Sequence, residues 1–229
     1  VLFLLLTSSI TPAEILPDTI GSPGTDKSLI FPIPYEMQLK EGTFYIDKQT
    51  FIVQSEKENE AGAFLNRLLA HELADKYYFD IAKSKRKSLS EKDKFILMGT
   101  LTDPLIKKYC EQHGLVNDLK ALGEEGYILS VSENAIVVAA NSNNGTLFGF
   151  ESLRQILHQG NDKKIFVPQL LEKDKPLFPF RGIKLYLPGK ENIPFFKRFI
   201  KDFAALYKFN KIILELNANM RLDKHPELN

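Results

Sequence analysis

The chain has 229 residues, 44% of them hydrophobic and 26% charged, enough apolar material for a globular core. Lys and Arg total 30 against 29 Asp and Glu, a formal net charge of +1, so no bulk charge draws the chain to nucleic acid or an anionic membrane surface. Cys110 is the single cysteine and His71, His113, His158 and His225 lack ligand spacing, so neither a disulfide nor a metal site, and no cofactor, is expected.

The opening VLFLLLTSSI is apolar and then turns to Ser, Thr, Pro and Ala. It reads as the core and cleavage zone of a secretory signal peptide rather than an N-terminal strand, because Leu2 to Leu6 shows no alternation. The stretch is too short to span a bilayer. Residues 1–28 are therefore taken as a signal remnant and linker, and an exported protein (periplasmic, cell-surface or secreted) is expected.

From Phe31 the prolines of FPIPY hold the backbone extended. Glu41-Gly42 is a turn signal with strand-like residues on either side, Met37 to Leu39 and Thr43 to Ile46, and Thr50 to Val53 reads as another strand. Ala61, Phe64, Leu65, Leu68, Leu69 and Leu73 recur at helical spacing, leaving Asn66, Arg67 and His71 mostly off that face. The basic run Lys83 to Lys87 reads as a solvated loop or helix end. Phe95 to Gly99 is a buried strand. Asp103, Pro104 and Gly114 frame a helix as N-cap, first-turn proline and C-terminal cap, placing Cys110 in it as a buried thiol.

Tyr127–Val131 and Ala135–Ala140 flank Ser132-Glu133-Asn134, a hairpin pattern. After a loop at 141–145, Leu147, Phe150, Leu153, Ile156 and Leu157 mark a helix over 146–158. Ile165 to Pro168 and the charged stretch Glu172 to Lys175 then lead to Pro176 and Pro179, a polar, proline-bearing boundary. The first domain, 29–175, is thus expected to be α+β: a mixed or antiparallel sheet with about three helices on one face.

Residues 176–229 open differently. Ile183, Leu185 and Leu187 alternate with Lys184 and Tyr186. Asn192 suits a helix N-cap with Pro194 in the first turn, and Phe196, Phe199, Ile200, Phe203 and Tyr207 form one stripe. Ile212 to Leu214 with Leu216 is a strand apolar on both faces. This is a β-α-β unit, and parallel strands need further units to bury both sheet faces, so the chain is expected to be an incomplete piece of a larger protein.

Two stretches carry a resemblance. One is Glu125 to Val131, Ile136 to Ala140 and Gly145 to Leu157; the other is Pro179 to Ile183 with Tyr207 to Lys211 after the helix. Together they resemble family 20 glycoside hydrolases, the β-N-acetylhexosaminidases, from about residue 30 onward. The resemblance implies an α+β domain packed on a (β/α)8 barrel, of which 176–229 is the truncated start. It also implies retaining, substrate-assisted hydrolysis of terminal N-acetylhexosamines, in which an Asp orients the sugar's 2-acetamido group and a neighbouring Glu protonates the leaving oxygen. Nothing in the chain matches that Asp-Glu pair, and Glu124-Glu125 reads as a solvated strand edge. Where the family carries an Asp and, three residues on, a sugar-gripping Arg after the first barrel strand, Tyr186 and Gly189 stand here.

Barrel active sites lie at the C-terminal ends of strands. The candidate substrate-binding residues for a glycan partner are therefore Glu215, Asn217, Asn219, Arg221 and Tyr186, with Asp223, His225 and Lys190 behind them; no catalytic residue is assigned. Glu215 lies on the opposite face of its strand from Leu214 and Leu216 and needs a partner, for which Arg221 is a candidate. The competing reading makes Glu215 to His225 a polar loop. The chain alone is expected to be inactive, and a noncatalytic carbohydrate-binding or structural module is the alternative. Sugar, linkage and oligomeric state are not legible.

Overall fold

The computed structural model describes residues 29–56, 59–215 and 223–228. The main-sheet strands are β1 (Glu36–Ile46), β2 (Phe51–Ser55), β3 (Ala82–Arg86), β4 (Phe95–Thr100), β5 (Tyr127–Val131), β6 (Ala135–Ala140), β7 (His158–Gln159) and β8 (Ile165–Asp174). The helices among them are α1 (Glu60–Tyr77), α2 (Pro104–Gln112), α3 (Val116–Ala121) and α4 (Asn143–Ile156). The strand order is β1-β8-β5-β6-β4-β2-β3, with β7 beside β8. Pairing is antiparallel from β1 through β6 and parallel from β6 through β3, so the sheet is mixed as expected.

The helices do not keep to one face. Ile52, Ile96, Met98, Ile136 and Val138 pack with α1 and α4, while Val53, Leu97, Val137 and Ala139 pack with α2 and α3 on the opposite side. The reason is the parallel half of the sheet. Its strands are apolar at consecutive positions, so both faces must be covered. Helix α3, which the sequence reading missed, helps to close the second face with Leu119.

Other differences have local causes. Glu41-Gly42 is not a turn between two strands: β1 runs through it and pairs with β8 on both sides, with a register shift between Leu39 and Thr43. Gly42, at φ +107°, supplies the left-handed residue such a bulge uses. The basic run Lys83 to Lys87, read as a solvated loop or helix end, falls mostly in the edge strand β3; lysines suit an edge because they discourage further pairing. The stretch Glu172 to Asp174, read as a polar boundary, is the buried end of β8.

The hairpin at Ser132 to Asn134 joins β5 and β6 as expected. Helix α2 carries its Asp103 cap, whose Oδ1 accepts from the Leu105 N–H at 2.8 Å, and Gly114 adopts φ +68°. His71 is exposed, but Asn66 is buried and donates to the Val53 carbonyl at 3.2 Å, tying α1 to β2.

Beyond β8, β9 (Gly182–Tyr186) and β10 (Lys211–Glu215) form a separate two-stranded parallel sheet. Between them lies α5 (Ile193–Phe199), which continues through a wider π-helical stretch, Ile200–Ala205. Pro194 sits in the first turn, whereas the Asn192 side chain makes no cap bond and turns to Glu191 instead. Ile212, Ile213 and Leu214 stay substantially exposed, so the β-α-β unit is seen without a closed barrel around it.

Candidate functional site

Because β9 and β10 are parallel, their C-terminal ends fall together. Tyr186 and Glu215 are register partners, and the Leu187 N–H donates to the Glu215 carbonyl at 3.1 Å. Glu215 finds its partner on the neighbouring strand: the Lys184 ammonium contacts its Oε2. The same ammonium lies 5.6 Å from the centre of the Tyr186 ring, which is 63% exposed. The result is an open cluster of an aromatic face, a carboxylate and an ammonium, suited to stacking on and hydrogen bonding a hydroxylated ring.

Of the sequence-predicted residues, the structure thus brings Tyr186 and Glu215 together. Asn217, Asn219 and Arg221, and with Arg221 the expected Glu215–Arg221 pairing, lie outside the described residues; among the described residues Glu215 pairs with Lys184. Asp223 and His225 are exposed, and His225 Nδ1 lies 3.1 Å from Glu227. Lys190 falls in a single turn before α5. Lys184 was missed, although its placement one residue pair from Tyr186 on the same strand face was the available signal. A groove of about 440 Å³ between α2 and the β5–β6 turn contains none of these residues.

The opposite, N-terminal ends of β9 and β10 are held in part by Glu125, just before β5 of the main sheet. Arg181 is the residue before β9, and its guanidinium reaches Glu125 Oε2 at 2.9 Å and the carbonyls of Lys208 and Phe178 at 2.8 Å each. Asn210 precedes β10; its Oδ1 accepts from the Arg181 N–H at 3.0 Å and its Nδ2 donates to Glu125 at 3.2 Å. Glu125, read as a solvated edge, is therefore the acceptor that fixes both strand starts.

Two buried charge clusters complete this joint. Lys208, at φ +61° after the helical stretch, sends its ammonium into the main sheet, 2.8 Å from Asp174 Oδ2 and 2.6 Å from the Tyr127 hydroxyl. That hydroxyl is also 2.5 Å from Glu172 Oε1 and 2.7 Å from Ser152 Oγ. Glu172 has no solvent exposure, and among the described residues no donor reaches its Oε2. Burial pushes its carboxyl up; Lys208 and the Tyr127 hydrogen bond pull back, Asp174 adds to the rise, and the result is about 7. Burial and the two carboxylates drive the Tyr127 hydroxyl well above its ordinary pKa.

In the second cluster, Arg154 of α4 donates to Glu72 Oε2 and Glu151 Oε2 at 2.7 Å each, and reaches across the joint to the Lys201 carbonyl and Asp202 Oδ1 at 3.1 Å. Burial raises the Glu151 carboxyl; Arg154 lowers it, Glu72 and Asp202 raise it, and it settles at about 7. Gln155 adds a bond of 3.0 Å to the Leu206 carbonyl. Each of these joint residues except Glu72, Glu172, Asp174, Phe178, Lys201, Asp202 and Leu206 falls within the stretches that carried the resemblance.

Comparison with known proteins agrees. Residues 27–171, more than half of the chain, match the family described as glycosyl hydrolase family 20, domain 2. A β-hexosaminidase of Akkermansia muciniphila is 31% identical over 104 residues, covering 44% of this chain and 21% of the relative. The β-hexosaminidase subunit beta of Rattus norvegicus is 27% identical over 187 residues, 79% of this chain and 33% of the relative. The Streptomyces plicatus N-acetyl-β-hexosaminidase structure superposes with a TM-score of 0.60 at 19% identity, covering 85% of this chain and 35% of that one, a likeness of fold. The chain thus spans about a third or less of these relatives, and it belongs to glycosyl hydrolase family 20.

Proposed function

We propose that the chain is the N-terminal part of an exported glycoside hydrolase that removes terminal N-acetylhexosamines from glycans by retaining, substrate-assisted chemistry. In this reading 29–175 is the supporting α+β domain and 176–229 begins the catalytic (β/α)8 barrel. One observation carries it: the first domain grips the N-terminal ends of β9 and β10 through Glu125, Arg181 and Asn210, and Tyr186 and Glu215 lie outside that grip at the C-terminal ends, where barrel enzymes bind substrate. Asn217, Asn219 and Arg221 extend that edge in sequence and are proposed to line it with Tyr186 and Glu215. The acid and the acetamido-orienting carboxylate are supplied by later strands, so the 229-residue chain alone does not turn over.

The alternative, a noncatalytic carbohydrate-binding module, is favoured by one feature: Tyr186 and Gly189 stand at positions where the resemblance expects Asp and Arg. The test is hydrolysis of an aryl N-acetyl-β-glucosaminide by the 229-residue chain and by a longer product of the same reading frame. Turnover confined to the longer product supports the enzyme. Turnover by the 229-residue chain refutes the assignment of chemistry to later strands, and binding of chitooligosaccharide without turnover by the longer product supports the module.

A further inference from the structure

The two buried clusters have more acid than base. Lys208 faces both Glu172 and Asp174, with the neutral groups Tyr127 and Ser152 around them. Arg154 faces Glu72, Glu151 and Asp202; Lys76, half-exposed on α1, offsets Glu72 at 2.5 Å, and the Tyr77 hydroxyl is the further titratable group nearby. With every carboxyl ionised the Lys208 cluster carries one uncompensated negative charge in a site closed to water. With Lys76 counted, the Arg154 cluster likewise carries one uncompensated negative charge, and its Glu151 is held by the shared Arg154 guanidinium and crowded by Glu72 and Asp202. Both clusters are sealed by residues of the β9–α5–β10 unit: Lys208 covers one, and Asp202 with the Lys201 carbonyl closes the other.

We propose that this joint is a proton-dependent latch, closed when Glu151 and Glu172 carry protons and loosened when both are ionised. Lifting the β9–α5–β10 unit withdraws Asp202 from Glu151 and admits water, and both changes favour ionisation of Glu151. At Glu172 lifting also removes the Lys208 charge, which by itself would favour the proton, but burial is the larger influence on that carboxyl, so hydration decides the sign. Docking therefore takes up protons, and closure weakens as pH rises. Among the described residues no donor reaches Glu172 Oε2, although Oε1 accepts the Tyr127 and Ser152 hydroxyls; a buried carboxylate with one bare oxygen is costlier than a neutral carboxyl, which fits Glu172 carrying a proton when the joint is shut.

The test is hydrogen exchange on the 229-residue chain at pH 5 and pH 8, corrected for intrinsic exchange, comparing β9 and β10 amides with those of β5 and β6. A carboxyl at about 7 when docked and near its ordinary 4.5 when hydrated changes the docking constant by roughly seventyfold over that span. The expectation is a fall of about tenfold or more in β9–β10 protection relative to β5–β6 on going to pH 8, flattened in E151Q/E172Q and partly flattened in E151Q alone. Protection that changes in step across both sheets, or rises with pH, overturns the latch. So does a folded variant that keeps the wild-type pH response. The wild-type comparison stands even where the double variant does not fold.

Discussion

Replacing Arg154 by Met tests the physics of the joint most directly. The Arg154 side chain is 1% exposed and contacts Glu72, Glu151 and Asp202. Removing one member of a buried ion pair costs about 3–5 kcal/mol when the stranded charge has no escape. Here the two buried carboxylates differ. Glu72 keeps Lys76 at 2.5 Å, so it remains partly compensated. Glu151 is already raised to about 7 with Arg154 present, and without it the folded-state pKa climbs further while the unfolded value stays ordinary. Below pH 7 Glu151 is protonated in both folded proteins, and the loss reduces to the remaining hydrogen bonds and the Glu72 pair, about 2 kcal/mol. Above pH 7 the wild type ionises Glu151 but the variant does not, so the variant must hold a proton that the unfolded chain releases. The gap between wild type and variant then widens by about 1.4 kcal/mol per pH unit until the variant's own pKa is reached. Urea unfolding followed by far-UV circular dichroism at pH 5.5, 7 and 8.5 reads this directly. A loss below about 1 kcal/mol, or one that is equal at the three pH values, would refute the picture of Glu151 as a buried carboxyl held by Arg154.

Further outcomes follow from particular contacts. Gly149→Ala gains about 1 kcal/mol of helix propensity but places a Cβ 2.5 Å from Val138 Cγ1 and 2.8 Å from the Tyr127 ring, so overpacking of about 1–3 kcal/mol should win and lower the urea midpoint. Ser142→Ala removes the cap bond to the Gly145 N–H and should cost about 1 kcal/mol in the same assay. Cys110 is buried, and burial pushes its thiol up to about 11; a disulfide reagent at pH 8 should label it slowly in buffer and rapidly in urea, and fast labelling of the folded chain would contradict that burial. Lys184→Ala, at an exposed ion pair, should change global stability by less than about 1 kcal/mol.

Local signals in the sequence were reliable where the structure they govern is local. The β5–β6 hairpin and the Asp103-Pro104 start of α2 depend on residues within a few positions of each other, and both stand. Gly42 was ambiguous because a glycine with positive φ serves a turn and a bulge alike, and the long pairing of β1 with β8 decides between them. The basic edge strand β3 lacks the apolar alternation by which strands are read, since an edge needs little burial. Glu172 and Asp174 were misread for a different reason: a charged stretch before prolines looks like a linker, and the groups that justify its burial are distant. Tyr127 is 45 residues from Glu172, and Lys208 is 34 from Asp174. At the candidate site, the meeting of Tyr186 with Glu215 followed from parallel pairing alone, and strand alternation puts Lys184 on the Tyr186 face, but its ion pair with Glu215 depends on side-chain geometry that alternation does not fix.

The placement of the resemblance motifs explains how a chain can be assigned to a family of hydrolases without a catalytic pair. Glu125, Tyr127, Ser152, Arg154, Arg181, Lys208 and Asn210 converge on the joint rather than on an exposed cleft. Their requirements are strict for physical reasons. A buried guanidinium needs acceptors at fixed angles. Lys208 occupies a left-handed position where glycine would be less strained, and its side chain supplies the ammonium that glycine cannot. Gly145 and Gly149 leave no room for a Cβ beside Gly126 and Val138. Arg181, Lys208 and Asn210 apply their constraints at the N-terminal starts of β9 and β10, away from the C-terminal ends where Tyr186 and Glu215 meet. Tyr186 and Gly189, where the resemblance expects Asp and Arg, lie at or just past the C-terminal end of β9 and outside the matched residues 27–171, so their departure leaves the family assignment untouched.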